Sequence, residues 1–127
     1  MSRAEIESLL SQCLAGDAVP GIVSAYLFGS QAEDRAHRES DVDVAVALRP
    51  DAYRTERERF DLRLELISRF SAVLGGRPVD VVVLNDAPPG LARRIVTTAS
   101  RFLCADPAAD HAFVRDAQLR AADLEPF

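Results

Sequence analysis

Apolar residues change their spacing several times along the chain, and each change marks an element. From Ser2 to Ala15 the residues Ile6, Leu9, Leu10, Cys13 and Leu14 recur at helical spacing, and Ser2 with Glu5 fits a capping box, so a helix is predicted. Gly16 to Gly21, with Pro20, reads as a turn. Ile22 to Phe28 (IVSAYLF) is β-rich and ends at Gly29; after a polar loop, Val42 to Leu48 (VDVAVAL) forms a second strand. Thr55 and Glu58 repeat the capping pattern and open a long helix through about Leu74. Its buried face is expected to carry Phe60, Leu64, Ile67, Phe70 or Ser71, and Leu74, with Leu62, Leu66 and Val73 alongside. Gly75-Gly76 stops that helix. Pro78 to Leu84 (PVDVVVL) is a third strand, and after the Pro88-Pro89-Gly90 turn a short helix covers about Leu91 to Ser100. Phe102-Leu103 adds a small edge strand, and a last amphipathic helix runs from about Ala108 to Asp123.

That order predicts a single α/β (α+β) domain over residues 1–127, with a small mixed sheet of three to four strands and helices packed mainly on one face. A chain of 127 residues can bury a core without disulfides or a structural metal. No apolar run approaches the roughly 20 residues that span a bilayer, and MSRAEIESLLSQ is amphipathic rather than a signal peptide, so a cytoplasmic protein is expected. Cys13 and Cys104 lack CxxC or His-rich spacing and read as buried free thiols. The net charge of −5 argues against general binding to nucleic-acid backbone, although all 15 basic residues are arginine.

Chemistry concentrates around the second strand. Side chains alternate across a strand, so Asp41, Asp43, Ala45 and Ala47 share one face while Val42, Val44, Val46 and Leu48 enter the core. Their Cα atoms would stand roughly 7 Å apart along the strand, and two carboxylates held that close repel unless a shared cation or a proton relieves them. Asp80 interrupts an otherwise apolar strand; beside the second strand it would join the pair, and three acids suit a hard divalent cation such as magnesium. Gly29 lets backbone approach phosphate oxygens, and Ser30 with the following amides can donate hydrogen bonds to them.

Gly29-Ser30, ten residues, and then Asp41-Val42-Asp43 resembles the signature of the DNA polymerase β-like nucleotidyltransferases, with Asp80 in Pro-Val-Asp-Val-Val-Val-Leu matching their third acid. The short chain, its N-terminal helix and its tail most resemble the minimal nucleotidyltransferase (MNT) antitoxins, which pair with HEPN-domain ribonuclease toxins. The resemblance implies ATP as co-substrate, two Mg²⁺ ions held by Asp41, Asp43 and Asp80, and AMP transfer to a tyrosine hydroxyl of the toxin. Gly29 and Ser30 would hold the triphosphate, and Asp80 would assist deprotonation of the acceptor. Many members continue Gly-Ser-x-Ala-Arg-Gly; here Gln31-Ala32-Glu33-Asp34 follows, removing a basic residue and a glycine, with Arg35 or Arg38 as possible replacements.

Plainer readings stand beside these. Asp41 and Asp43 could be surface acids at a strand end, and Asp80 could pair with Arg77. His37 reads as a solvated loop residue, His111 as helix surface or packing, residues 55–59 as a solvated helix face, and Tyr26 as strand core. Besides the protein adenylyltransferase, two functions remain open: an antitoxin that only covers its partner, and a nucleotidyltransferase for a small hydroxylated acceptor such as an aminoglycoside.

Overall fold

The computed structural model describes residues 1–16, 18–29 and 41–124. Four helices and four strands follow in the order α1 (Arg3–Cys13), β1 (Ile22–Phe28), β2 (Val42–Leu48), α2 (Glu56–Val73), β3 (Val79–Val83), α3 (Pro89–Thr98), β4 (Ser100–Cys104) and α4 (Pro107–Leu124). The capping box at Ser2 forms as expected, with the Ser2 hydroxyl accepting from the Glu5 amide at 3.1 Å. Thr55 caps α2 in the same way, at 3.1 Å from the Glu58 amide. The short third helix starts two residues earlier than its pattern suggested because Pro89 fits the first helical turn, where no amide donor is needed. The edge strand is longer than Phe102-Leu103 and spans Ser100–Cys104.

The sheet order is β3-β2-β1-β4, with β1 antiparallel to β2 and β4, and β3 parallel to β2. A parallel pair requires a long crossover, which α2 supplies. The expected mixed sheet is present, and its larger core lies against α1 and α2. There Ile6, Leu10, Leu62, Leu66 and Phe70 meet the inward valines of β2 and β3. A second, smaller core on the opposite face packs Tyr26, Ala45 and Ala47 against Ala92, Ile95 and Ala117 of α3 and α4. Helices therefore cover both faces of the sheet rather than mainly one, because the small residues on that side leave room for a second helical layer.

One expectation about α2 fails. Its buried line is Leu62, Leu66 and Phe70, not the line through Phe60 and Leu64, which stay 50% and 48% exposed. The helix carries two apolar lines, and periodicity alone cannot choose between them. Burial of the Leu62 line contributes about 1.5–3 kcal/mol per side chain, so packing against the sheet decides. Residues 55–58 form the expected solvated face, with Arg59 the exception: it is largely covered and pairs with Asp86 at 2.8 Å.

Several polar contacts pin the end of β2. The Asn85 amide receives the Leu48 N–H and donates to the Leu48 carbonyl, both at 2.9 Å, continuing the sheet with a side chain. The Tyr53 hydroxyl donates to the Pro20 carbonyl at 2.6 Å. Among the described residues no helix is long and apolar enough to cross a membrane.

Candidate active site

Strand register brings two of the acids side by side. Asp43 pairs across the parallel ladder with Asp80, and across the antiparallel ladder with Phe28, the last residue of β1. Directly paired residues share a face and stand about 4.8 Å apart at the backbone, so both carboxylates leave the sheet on the side that carries Ala45, Ala47 and the smaller core. Asp41 immediately precedes β2 and is exposed. Val42 and Val44 on the opposite face are fully buried, which fixes the strand and therefore the direction of Asp43.

Gly29 closes the site from the β1 side. Its φ is +76°, a conformation that side chains disfavour, and a Cβ there would stand 2.5 Å from Asp43 Oδ2. Glycine is thus required twice, for the bend and for the approach of the backbone to Asp43. Sequence reasoning assigned Gly29 to phosphate alone and missed this contact. Ser30, the other half of the proposed phosphate grip, lies outside the described residues, as do Gln31, Glu33, Asp34, Arg35, His37 and Arg38.

Electrostatics of the cluster are those of like charges in a half-buried place. The Asp43 carboxyl is raised above the usual carboxylate range, first by burial and then by the neighbouring charges of Asp80 and Asp41. Among the described residues Asp43 has no bonded partner. Asp80 is paired, not with Arg77 but with Arg63 of α2: Arg63 Nη2 donates to Asp80 Oδ1 at 3.1 Å, and Arg63 Nε donates to the Val81 carbonyl at 2.7 Å. The arginine was not foreseen. Its signal was its place one turn beyond Arg59, on the side of α2 that meets β3.

Carboxylate oxygens are the donors that hard divalent cations choose, and crowding at Asp43 is the strain such a cation relieves. Among the described residues, however, no three His, Cys, Asp or Glu side chains stand together as a ready cation site. Arg63 draws one Asp80 oxygen towards α2, which accounts for part of that. The residue types of Asp43 and Asp80 and their shared face suit a cation.

The remaining candidates lie elsewhere. Cys13 and Cys104 are free but half-buried rather than fully buried, and burial raises the Cys13 thiol, which keeps it unreactive. His111 is exposed on α4. Tyr26 is core, as expected, and its hydroxyl donates to the buried Asp110 at 3.0 Å.

Comparison with known proteins adds to this geometry. Residues 12–108 match the family described as Polymerase beta, Nucleotidyltransferase. A toxin–antitoxin crystallised with AMP-PNP is 26% identical, with a TM-score of 0.71 over 98% of this chain and 90% of the other. A structure assigned as a minimal nucleotidyltransferase is 33% identical, with a TM-score of 0.52, covering 78% of this chain and 94% of that one. The MNT antitoxin in complex with a tri-AMPylated HEPN toxin from Shewanella oneidensis shares the fold at 23% identity and a TM-score of 0.70, over 96% of this chain and 88% of that one. No curated protein matches.

Proposed function

Because this chain belongs to the polymerase beta nucleotidyltransferase family, we propose that it transfers AMP from Mg-ATP to a tyrosine hydroxyl of a partner HEPN ribonuclease toxin, neutralising that toxin in the cytoplasm. The observation that carries this reading is the in-register pair Asp43–Asp80 with Gly29 closed against the Asp43 carboxylate. Likeness along nearly the full chain to a toxin–antitoxin crystallised with AMP-PNP supports the same reading.

In this account residues 1–127 act as one minimal domain, and the acceptor arrives on a separate protein. Gly29 and Ser30 hold the outer phosphates through the bend that follows β1. Asp41, Asp43 and Asp80 hold magnesium, which when bound neutralises the phosphates and eases ionisation of the attacking hydroxyl. Asp80 receives the hydroxyl proton. The tyrosine oxygen bonds to the α-phosphorus, the bond from that phosphorus to its bridging oxygen breaks, and pyrophosphate leaves. Incubation with ATP, Mg²⁺ and the HEPN protein should add AMP to the HEPN chain by intact mass. An unmodified HEPN chain beside an active control enzyme would defeat the proposal.

A second reading has its own observation. The hold of Arg63 on Asp80 fits an antitoxin that only covers its partner, with the nucleotide site retained but slow. Joint Asp41→Ala and Asp43→Ala substitution separates the two, since protection that survives it rests on binding.

A further inference from the structure

Beyond Asp80 the sheet ends, and a cavity of about 670 Å³ begins. It runs along the outer side of β3, between the first half of α2 and the start of α3, and its walls include Arg59, Phe60, Arg63, Val82 and Leu91, with Asp80 at the head of its β3 side. Phe60 lines it and is half-exposed, and Leu64, one turn further along α2 and outside its lining, is half-exposed as well, beside residues that are otherwise charged. Two large apolar side chains left out of the core next to a cavity signal a partner that covers them.

Three further observations choose the occupant. First, the arginines of the cavity are already matched: Arg57 by Asp61, Arg59 by Asp86 and Arg63 by Asp80, at 3.2, 2.8 and 3.1 Å. Such a lining offers little net charge to a triphosphate, but its apolar surface and guanidinium faces suit an aromatic ring with a polar tip. Second, the sheet order places the Gly29 bend, Asp43 and Asp80 in sequence across β1, β2 and β3. In an in-line displacement the attacking oxygen enters opposite the leaving group, so phosphates held at Gly29 leave the Asp80 side to the acceptor. Third, Arg63 occupies the outward carbonyl of Val81, which blocks an added strand and leaves side chains as the visitors.

We propose that this groove is the acceptor port, in which Phe60 and Leu91, with Leu64 on the neighbouring surface of α2, pack against an acceptor segment of the partner protein and Asp80 meets the aromatic hydroxyl of that segment. The proposal rests on the nucleotidyltransferase reading above for its chemistry, but its binding half can be measured separately. Phe60→Ala and Leu64→Ala remove exposed side chains and leave the core intact. The full chain carrying each should bind its HEPN protein about tenfold more weakly, with a matching rise in KM for that protein. Affinity for AMP-PNP, measured by calorimetry without the partner, should stay within about twofold. Leu119→Ala, which removes an exposed leucine on α4, should change neither quantity. Weakened AMP-PNP binding with unchanged partner affinity would overturn the proposal by giving the groove to the nucleoside, and unchanged values of both would overturn it outright. If the wild-type chain transfers no AMP, the partner affinities alone still decide on the groove, so the two readings fail separately.

Discussion

Two aspartates of this molecule lead opposite lives. Asp110 is 2% exposed and fully provided for: the Tyr26 hydroxyl donates to one oxygen and Arg101 to the other. Burial, reinforced by Asp110, pushes the Tyr26 phenol up to about 12, so it remains a donor throughout the ordinary pH range. The cluster ties α4 to β1 and β4. Asp43 is also partly withdrawn from water, yet its neighbours are Asp80 and Asp41, and no donor among the described residues bonds it. A buried acid with donors is architecture. One held among like charges opposes folding, and its presence makes sense where a ligand later supplies the positive charge.

Substitution should pull the two apart. Asp43→Asn is expected to lower AMP transfer by at least about a hundredfold, the scale seen when one group aimed at developing charge is lost. The same change should leave the thermal midpoint unchanged or raise it, since it removes repulsion. Asp110→Ala should do the reverse. It strands the buried Tyr26 hydroxyl and should destabilise by about 2–3 kcal/mol, lowering the midpoint by roughly 10 °C, while transfer per folded molecule persists. Equal loss of stability in both variants would erase the distinction.

A smaller effect concerns pH. The folded pKa of Asp43 lies above its unfolded value, so the folded chain keeps a proton where the unfolded chain has lost it. The contribution of this group therefore favours folding below the ordinary carboxylate range and is lost as pH rises through the folded pKa. Cation-free wild type should gain stability relative to Asp43→Asn as the pH falls from about 7 towards 4. Denaturant titrations of both proteins across that range read the difference; parallel curves would place Asp43 in an ordinary solvated setting.

Much of this was legible in the residues, for physical reasons that differ by element. The strands announced themselves because Val42, Val44 and Val46 alternate with small or acidic residues, and the first helix because Ser2 and Glu5 satisfy its orphan amides locally. The shared face of Asp43, Ala45 and Ala47 followed from the same alternation. What stayed hidden depends on tertiary choices. Whether Phe60 or Leu62 faces the sheet is settled by packing across α2, and the partner of Asp80 by how α2 lies over β3, so Arg63 rather than Arg77 could not be read from spacing. The closeness of Gly29 to Asp43 likewise needs the β1–β2 register.

The acids Asp43 on β2 and Asp80 on β3 share a face where bound cations would neutralise them. Mn²⁺ binding followed by electron paramagnetic resonance, with AMP-PNP present, tests this in wild type and Asp43→Asn. Wild type should take up the ion while the variant loses at least about tenfold in affinity. Equal uptake by the two proteins, or none by wild type, would contradict it.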